Sequence, residues 1–301
     1  MVIRALPAAV RQLYPFPSRY LTASGLQYHY LDEGRGTPIV MVHGNPTWSF
    51  FFRDLIRDLS RDHRVIVPDH IGCGLSDTPP RSRYGYRLAD RVADLDRLLA
   101  RRVPDEKITL LVHDWGGMIG MAWAIDHIPR IARIIVLNTA AFLPMPGKPL
   151  PWQLRLIRNV PAVATGAVLG LNLFAAGAIF MAPFYRLPPA VRAGYLAPYN
   201  RPAHRIATLA FVQDIPVKPT DPSYPVAART DAALCRLAHV PMGIFWGKHD
   251  FVFDTDYLTE WRRRFPDAEA HLFNDAGHYL LEDAGDRIIP RIRSFLQKHP
   301  L

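Results

Sequence analysis

Five residues in this chain have the types and placement for nucleophilic chemistry: Asp114, His278, Asp250, Asn45 and Trp115. Asp114 follows the apolar run over residues 108–112 and precedes Trp115, Gly116 and Gly117, after which an amphipathic run over 118–127 reads as a helix. That pattern is a buried strand, a tight turn and a helix, with the apex residue held in a strained conformation and its side chain lifted off the sheet. A carboxylate has an ordinary pKa of about 3.9, so it is ionised at neutral pH and attacks without a base. It is a poor nucleophile toward amides and plain esters. It suits a carbon bearing a good leaving group, such as a halide, or a strained epoxide or lactone. A histidine is then free to activate water in a second step.

The other four stand at the ends of predicted strands. His278, in Asn274-Asp275-Ala276-Gly277-His278-Tyr279, follows the last strand and opens the last helix. Asp250, in Trp246-Gly247-Lys248-His249-Asp250, is placed to hold His278 in one tautomer and stabilise its cation. A rival acid position, after the strand over 131–137, is taken by Asn138, which carries no charge. Asn45 follows His43-Gly44 at another strand end and brings amide and backbone N–H donors. Trp115 adds its own backbone N–H and an indole N–H. Neutral donors converging beside a nucleophile suit an oxyanion or a leaving anion. His113 precedes the apex, so its side chain is expected to point away from the site; His29, His63, His127, His239 and His271 lack a comparable placement.

Those positions need a particular scaffold. Runs over 19–23 and 26–31, joined by Ser24-Gly25, predict a hairpin. Strands are predicted over 38–42, 64–68, 131–137, 242–246 and 268–273, and helices over 48–59, 86–102, 254–264 (with Asp254 as N-cap) and 288–298. Alternating strands and helices imply a mostly parallel sheet covered on both faces, with the hairpin as an antiparallel edge. The alternation stops at Ala141. Residues 142–230 are proline-rich without a clear strand, so they read as a helical cap inserted into a core domain made of 1–141 and 231–301. Nothing between Arg158 and Arg186 is charged. A membrane span there would separate the 242–246 strand from its sheet, and Pro161, Gly166, Gly170, Gly177 and Pro183 interrupt a single helix. Cap helices lining an apolar pocket are expected, with an exposed apolar face against membrane or a partner as the alternative.

Composition narrows the class. The chain has 301 residues, 49% hydrophobic and 21% charged, as a globular protein does. The net charge of +9 comes mostly from scattered arginines with a single run, Arg262-Arg263-Arg264, and no nucleic-acid reading motif accompanies it; a solvated basic surface is expected, with contact to anionic lipid or an acidic partner as the alternative. Cys73 and Cys235 fit no metal spacing; reduced thiols in the cytoplasm, and no metal or cofactor, are expected. The N-terminal run is cut by Arg4, Pro7 and Arg11 and does not read as a secretory signal.

The stretches His43-Gly44-Asn45-Pro46-Thr47-Trp48, Asp69 with Gly72-Cys73-Gly74-Leu75-Ser76-Asp77, Val112-His113-Asp114-Trp115-Gly116-Gly117, Trp246-Gly247-Lys248-His249-Asp250 and Gly277-His278 together resemble the haloalkane dehalogenase family of α/β-hydrolases. The resemblance implies the α/β-hydrolase fold, with a mostly parallel eight-stranded sheet, helices on both faces and an inserted helical cap. It implies Asp114 as nucleophile, His278 as base, Asp250 as acid, and Asn45 with Trp115 as holders of the leaving anion. The acid position and Asn45 resemble the third subgroup, as do Tyr14-Pro15-Phe16-Pro17-Ser18-Arg19-Tyr20 and Tyr28-His29-Tyr30-Leu31-Asp32-Glu33-Gly34. That subgroup includes β-lactone decarboxylases of bacterial long-chain olefin biosynthesis. The resemblance then implies a lactone with two alkyl chains, a cis-alkene and carbon dioxide as products, and assembly with a β-lactone synthetase and a reductase. Three other readings stay open: a hydrolytic haloalkane dehalogenase; an epoxide hydrolase using donors among Tyr185, Tyr195, Tyr199 and Tyr224; and a non-catalytic scaffold on the same fold.

Overall fold

In the computed structural model, which describes residues 6–301, eight strands form one sheet in the order β1-β2-β4-β3-β5-β6-β7-β8. The reading of residues 1–5 lies outside the described residues. The strands are β1 (Arg19–Ala23), β2 (Leu26–Glu33), β3 (Pro38–Val42), β4 (Arg64–Pro68), β5 (Ile108–Asp114), β6 (Ile131–Thr139), β7 (Met242–Gly247) and β8 (Glu269–Phe273). β1 and β2 pair antiparallel, as do β2 and β4; every other pair is parallel. The tight link between β1 and β2 takes Ser24 and Gly25 at φ of 51° and 73°.

The helices are α1 (Ala8–Leu13), α2 (Arg53–Leu59), α3 (Leu88–Arg102), α4 (Trp115–Ala124), α5 (Trp152–Asn159), α6 (Pro161–Ala164, continuing as a π-helical turn over Thr165–Gly170), α7 (Leu173–Met181), α8 (Pro189–Leu196), α9 (Ile206–Gln213), α10 (Tyr224–Ala233), α11 (Thr255–Arg264) and α12 (Leu280–Lys298). Successive strand residues face opposite layers. Val40, Val42, Leu110 and Val112 pack with α3 and α4, while Ile39, Met41 and Leu111 pack with α2 and α12. The central strands are buried on both faces, which is why they read as unbroken apolar runs.

Three predicted elements differ from what forms. The expected helix over 48–59 is a 3-10 turn over Ser49–Phe52 followed by α2, because Trp48 and the three phenylalanines are pulled inward on every side. The helix expected over 118–127 begins at Trp115, directly on the strand end, and runs only to Ala124. It is not amphipathic: Gly116 through Ala124 are all buried. α12 starts eight residues before the expected Ile288, and Ala284 (φ −141°) kinks it.

Between Thr139 and Met242 the described residues form helices and connecting segments only. α5 and α9 pack on each other, whereas α10 packs on α4. The uncharged stretch is divided between Pro161–Gly170 and Leu173–Met181, which meet at 76°; among the described residues no single helix is long and apolar enough to cross a membrane.

Candidate active site

Asp114 closes β5 with φ 51° and ψ −127°, a backbone conformation that costs a non-glycine residue about 1–3 kcal/mol and persists only where the surroundings impose it. Two close approaches impose it. A Cβ on Gly116 would stand 1.9 Å from the Val42 carbonyl oxygen, and one on Gly44 would stand 1.9 Å from Asp114 Oδ1. The Thr139 hydroxyl also donates to the Asp114 carbonyl. The side chain is thereby lifted toward the cap. Its Oδ1 accepts from the Asn45 backbone N–H at 2.6 Å, and the Trp115 backbone N–H also donates to the carboxylate.

His278 Nε2 lies 3.5 Å from Asp114 Oδ2, and His278 Nδ1 lies 2.6 Å from Asp250 Oδ2. Asp250 Oδ1 accepts from the backbone N–H groups of Val252 (2.7 Å) and Phe253 (2.9 Å). Asp250 is thus fully occupied as an acceptor, so Nδ1 carries the proton and Nε2 faces Asp114. Burial pushes the Asp114 carboxyl above its ordinary value, against the opposing pull of His278 and the two backbone N–H groups. Burial pulls the His278 imidazole down, but Asp250 and then Asp114 outweigh it, and its pKa ends above the ordinary one.

All five predicted residues converge. Asn45, Asp114, Trp115 and His278 line one cavity of about 270 Å³, and Asp250 stands behind the histidine. One amide N–H of Asn45 donates to the Thr208 carbonyl of α9 at 3.1 Å, which leaves its second for a ligand. The Trp115 ring packs 5.3 Å from Phe211. The remaining wall is mostly apolar, with Met118, Leu154, Phe174, Ala178, Val212 and Phe253 among its members. The cap tyrosines do not line it: Tyr195 donates to Glu282, Tyr199 to the Thr47 carbonyl and Tyr185 to Asp275. The tyrosines that do line the cavity, Tyr257 and Tyr279, lie outside the cap.

Two residues that sequence reasoning left aside act on the site. Asn138 donates to Asp250 Oδ2 (2.9 Å) and the Gly247 carbonyl (3.1 Å) and accepts from Gly247 N–H (2.6 Å). It is a positioning residue for the acid. Its place at the end of β6, next to β7, was the available signal. His113 does point away from the cavity, yet its Nε2 bonds the His278 carbonyl at 2.9 Å from beneath. Burial holds its imidazole well below the ordinary pKa, so it stays neutral and Nε2–H is the donor.

Residues 37–285 match the family model described as the alpha/beta hydrolase fold. The chain belongs to the α/β-hydrolase family. It is 48% identical over 286 residues to a cis-3-alkyl-4-alkyloxetan-2-one decarboxylase of Shewanella oneidensis, covering 94% of this chain and 89% of that protein. A decarboxylase of the same name from Xanthomonas campestris is 44% identical over 292 residues, covering 95% and 97%. A haloalkane dehalogenase of Mycobacterium marinum is 34% identical, covering 98% and 99%. Among solved structures, the haloalkane dehalogenase DatA of Agrobacterium tumefaciens superposes with a TM-score of 0.84 at 22% identity, covering 94% of this chain and 97% of that one. The motif resemblance to haloalkane dehalogenases, and within them to lactone decarboxylases, is borne out.

Proposed function

We propose that the chain is a cis-3-alkyl-4-alkyloxetan-2-one decarboxylase, an Asp-nucleophile lyase that converts a β-lactone with two alkyl chains to a cis-alkene and carbon dioxide. The observation that carries it is an ionisable carboxylate at the elbow, Asp114, facing an apolar cavity beside neutral donors, in a chain 48% identical to a decarboxylase of that name. Asp114 attacks the ring carbon bonded to oxygen. The ring C–O bond breaks and its electrons form the substrate carboxylate, which the second Asn45 N–H and the Trp115 indole are placed to receive. The C–CO2 bond then gives its electrons to the new double bond, and Asp114 leaves as carboxylate. Atoms balance without water, so His278 serves as a cation beside Asp114, held by Asp250, rather than as an obligatory base.

Hydrolytic dehalogenation is the second reading, favoured by the same donors beside Asp114 and the relatives of that name. There the alkyl ester of Asp114 waits for water activated by His278. Incubation of the protein with a cis-dialkyl β-lactone and, separately, a 1-bromoalkane decides: alkene without added water chemistry is expected, and rapid bromide release with no alkene overturns the assignment. Asp114→Asn is expected to lower alkene formation by at least about 10³-fold, and undiminished turnover overturns the nucleophile. The two widely separated free cysteines support a reducing, cytoplasmic setting. Assembly with a lactone-forming synthetase and a reductase is part of the same reading.

A further inference from the structure

The net positive charge of the chain is concentrated in one stretch. Residues 127–213 hold nine Arg or Lys and no Asp or Glu, while the remaining 27 basic and 27 acidic residues cancel, so the whole formal charge of +9 rests there. Within the cap, Lys148 and Arg158 are paired with Asp254 and Asp221. Arg155, Arg186 and Arg192 enter no ion pair among the described residues, and Arg192 lies over the Phe180 ring at 5.8 Å.

Beside these cations the cap exposes large apolar side chains. Trp152 is 69%, Leu171 70% and Phe180 60% exposed. Trp152 and Arg155 are one turn apart on α5 and so share a face. Leu171 stands at the corner where Pro161–Gly170 and Leu173–Met181 meet at 76°. Nothing lies within 4 Å of where a Cβ on Gly166 would sit, so that side of the corner is uncovered. Leu173, Met181 and Phe251 are both exposed and part of the cavity wall, so the cavity opens among these side chains. Trp152 and Phe251 border a common shallow groove.

We propose that this cap face docks on an anionic lipid bilayer, with the corner at Leu171 in the headgroup–acyl boundary and Arg155, Arg186 and Arg192 against lipid phosphates. An apolar wedge rimmed by cations is what such a surface binds: buried apolar area and attraction to anionic lipid add. The purpose of the docking rests on the reading of a two-chain substrate. Such chains dissolve in the bilayer, and the cavity mouth meets them there; the alkene returns the same way.

The test is flotation of the full chain with vesicles of phosphatidylethanolamine and phosphatidylglycerol, against vesicles of phosphatidylcholine alone. Binding to the anionic vesicles, weakened by salt, is expected. Arg155→Glu with Arg186→Glu is expected to weaken it by at least about tenfold, and Trp152→Ser with Leu171→Ser and Phe180→Ser by about as much. Brominated lipid should quench tryptophan fluorescence in the native chain and not in Trp152→Phe. None of the substituted residues lines the cavity, so turnover of a short, water-soluble lactone should persist in each variant. Absence of flotation overturns the proposal, as does flotation indifferent to both variants. Self-association or capture by a protein that the apolar variant abolishes, without vesicle binding, overturns it too. Flotation needs no turnover, so an inert site leaves the docking standing and failed docking leaves the lactone chemistry standing.

Discussion

At the scale of single residues, the proposed chemistry turns on two groups 3.5 Å apart, Asp114 and His278, each with its pKa moved above the ordinary value. As the proposed nucleophile, Asp114 attacks only when ionised, so activity is expected to fall as pH drops through a value that burial has moved above the ordinary carboxylate one. A hydrolase must also have His278 neutral, and its activity rises only as pH climbs through an imidazole value that the two aspartates have moved above the ordinary one of about 6.5. Lactone decarboxylation, as proposed, does not require that deprotonation, because His278 acts there as a cation. The expected profiles of kcat/KM against pH therefore separate: alkene formation persists on the acid side of the His278 titration, where bromide turnover is lost. Coincident acid limbs for both substrates would sink the non-basic role; since the groups interact, both limbs belong to the pair rather than to either residue. His278→Gln sharpens the contrast. Bromide release should stop after one equivalent, with turnover down about 10²–10⁴-fold, while alkene formation falls by less. Asn138→Ala removes three hydrogen bonds around Asp250 and Gly247. It should cost about 1–3 kcal/mol in urea unfolding and displace the pH limb that His278 sets in bromide turnover, a change that lost packing alone does not produce.

At the scale of elements, the strained apex depends on glycines that cannot move. Gly116→Ala would push a Cβ to 1.9 Å from the Val42 carbonyl oxygen, at the end of β3, and 3.0 Å from that of His43 just beyond it, backbone atoms that have nowhere to go. A loss of about 3 kcal/mol or more is expected, with activity reduced as β5 and β3 separate. Gly285 in α12 has nothing within 4 Å of its Cβ position. Gly285→Ala should instead stabilise by about 0.5–1 kcal/mol; denaturant midpoints of the two variants moving the same way would refute this reading of the packing. The same distinction explains what the residues announced. β3, β4 and β5 were legible because strands covered on both faces must be apolar throughout; Asp114 and Trp115 stand at and directly after the end of β5, and Asn45 and Asp250 three residues after β3 and β7. α4 was misread because it is covered all round and has no polar face to give a 3.6-residue period. The cap helices were legible only as an absence of strands, since proline and small residues place them without a pattern. Asn138 was weighed as a charge carrier and set aside, while its actual role, an amide bridging β6 to the acid after β7, depends on pairing between strands more than a hundred residues apart.

At the scale of the whole molecule, the segment carrying His278 is tied to the cap as well as to the sheet. Tyr279 N–H donates to the Ala182 carbonyl at 3.1 Å, and Asp283 accepts from Gly277, Phe184 and Tyr185 N–H groups. One turn along α12, Glu282 receives both Arg53 guanidinium nitrogens of α2 at 2.5 and 2.7 Å, while Tyr195 of α8 donates to the same carboxylate. Tyr195 in turn stacks on Tyr279, with ring centroids 4.8 Å apart. Cap, α2 and the His278 loop therefore share one buried charge pair. Removing half of such a pair strands the other charge in a medium that cannot solvate it. Glu282→Gln is expected to cost about 3–5 kcal/mol, whereas Arg53→Met combined with Glu282→Leu should recover most of that because no charge remains to desolvate. Thermal unfolding measures the cost. Turnover measures something else: in the double variant the cap keeps its apolar contacts but loses the carboxylate that orients Tyr195 against Tyr279. If the ion pair serves only stability, the double variant regains activity along with its melting temperature. If it also sets the cap relative to His278, stability returns and kcat stays low, and that second outcome is the one expected from a carboxylate on α12 that binds both α2 and α8.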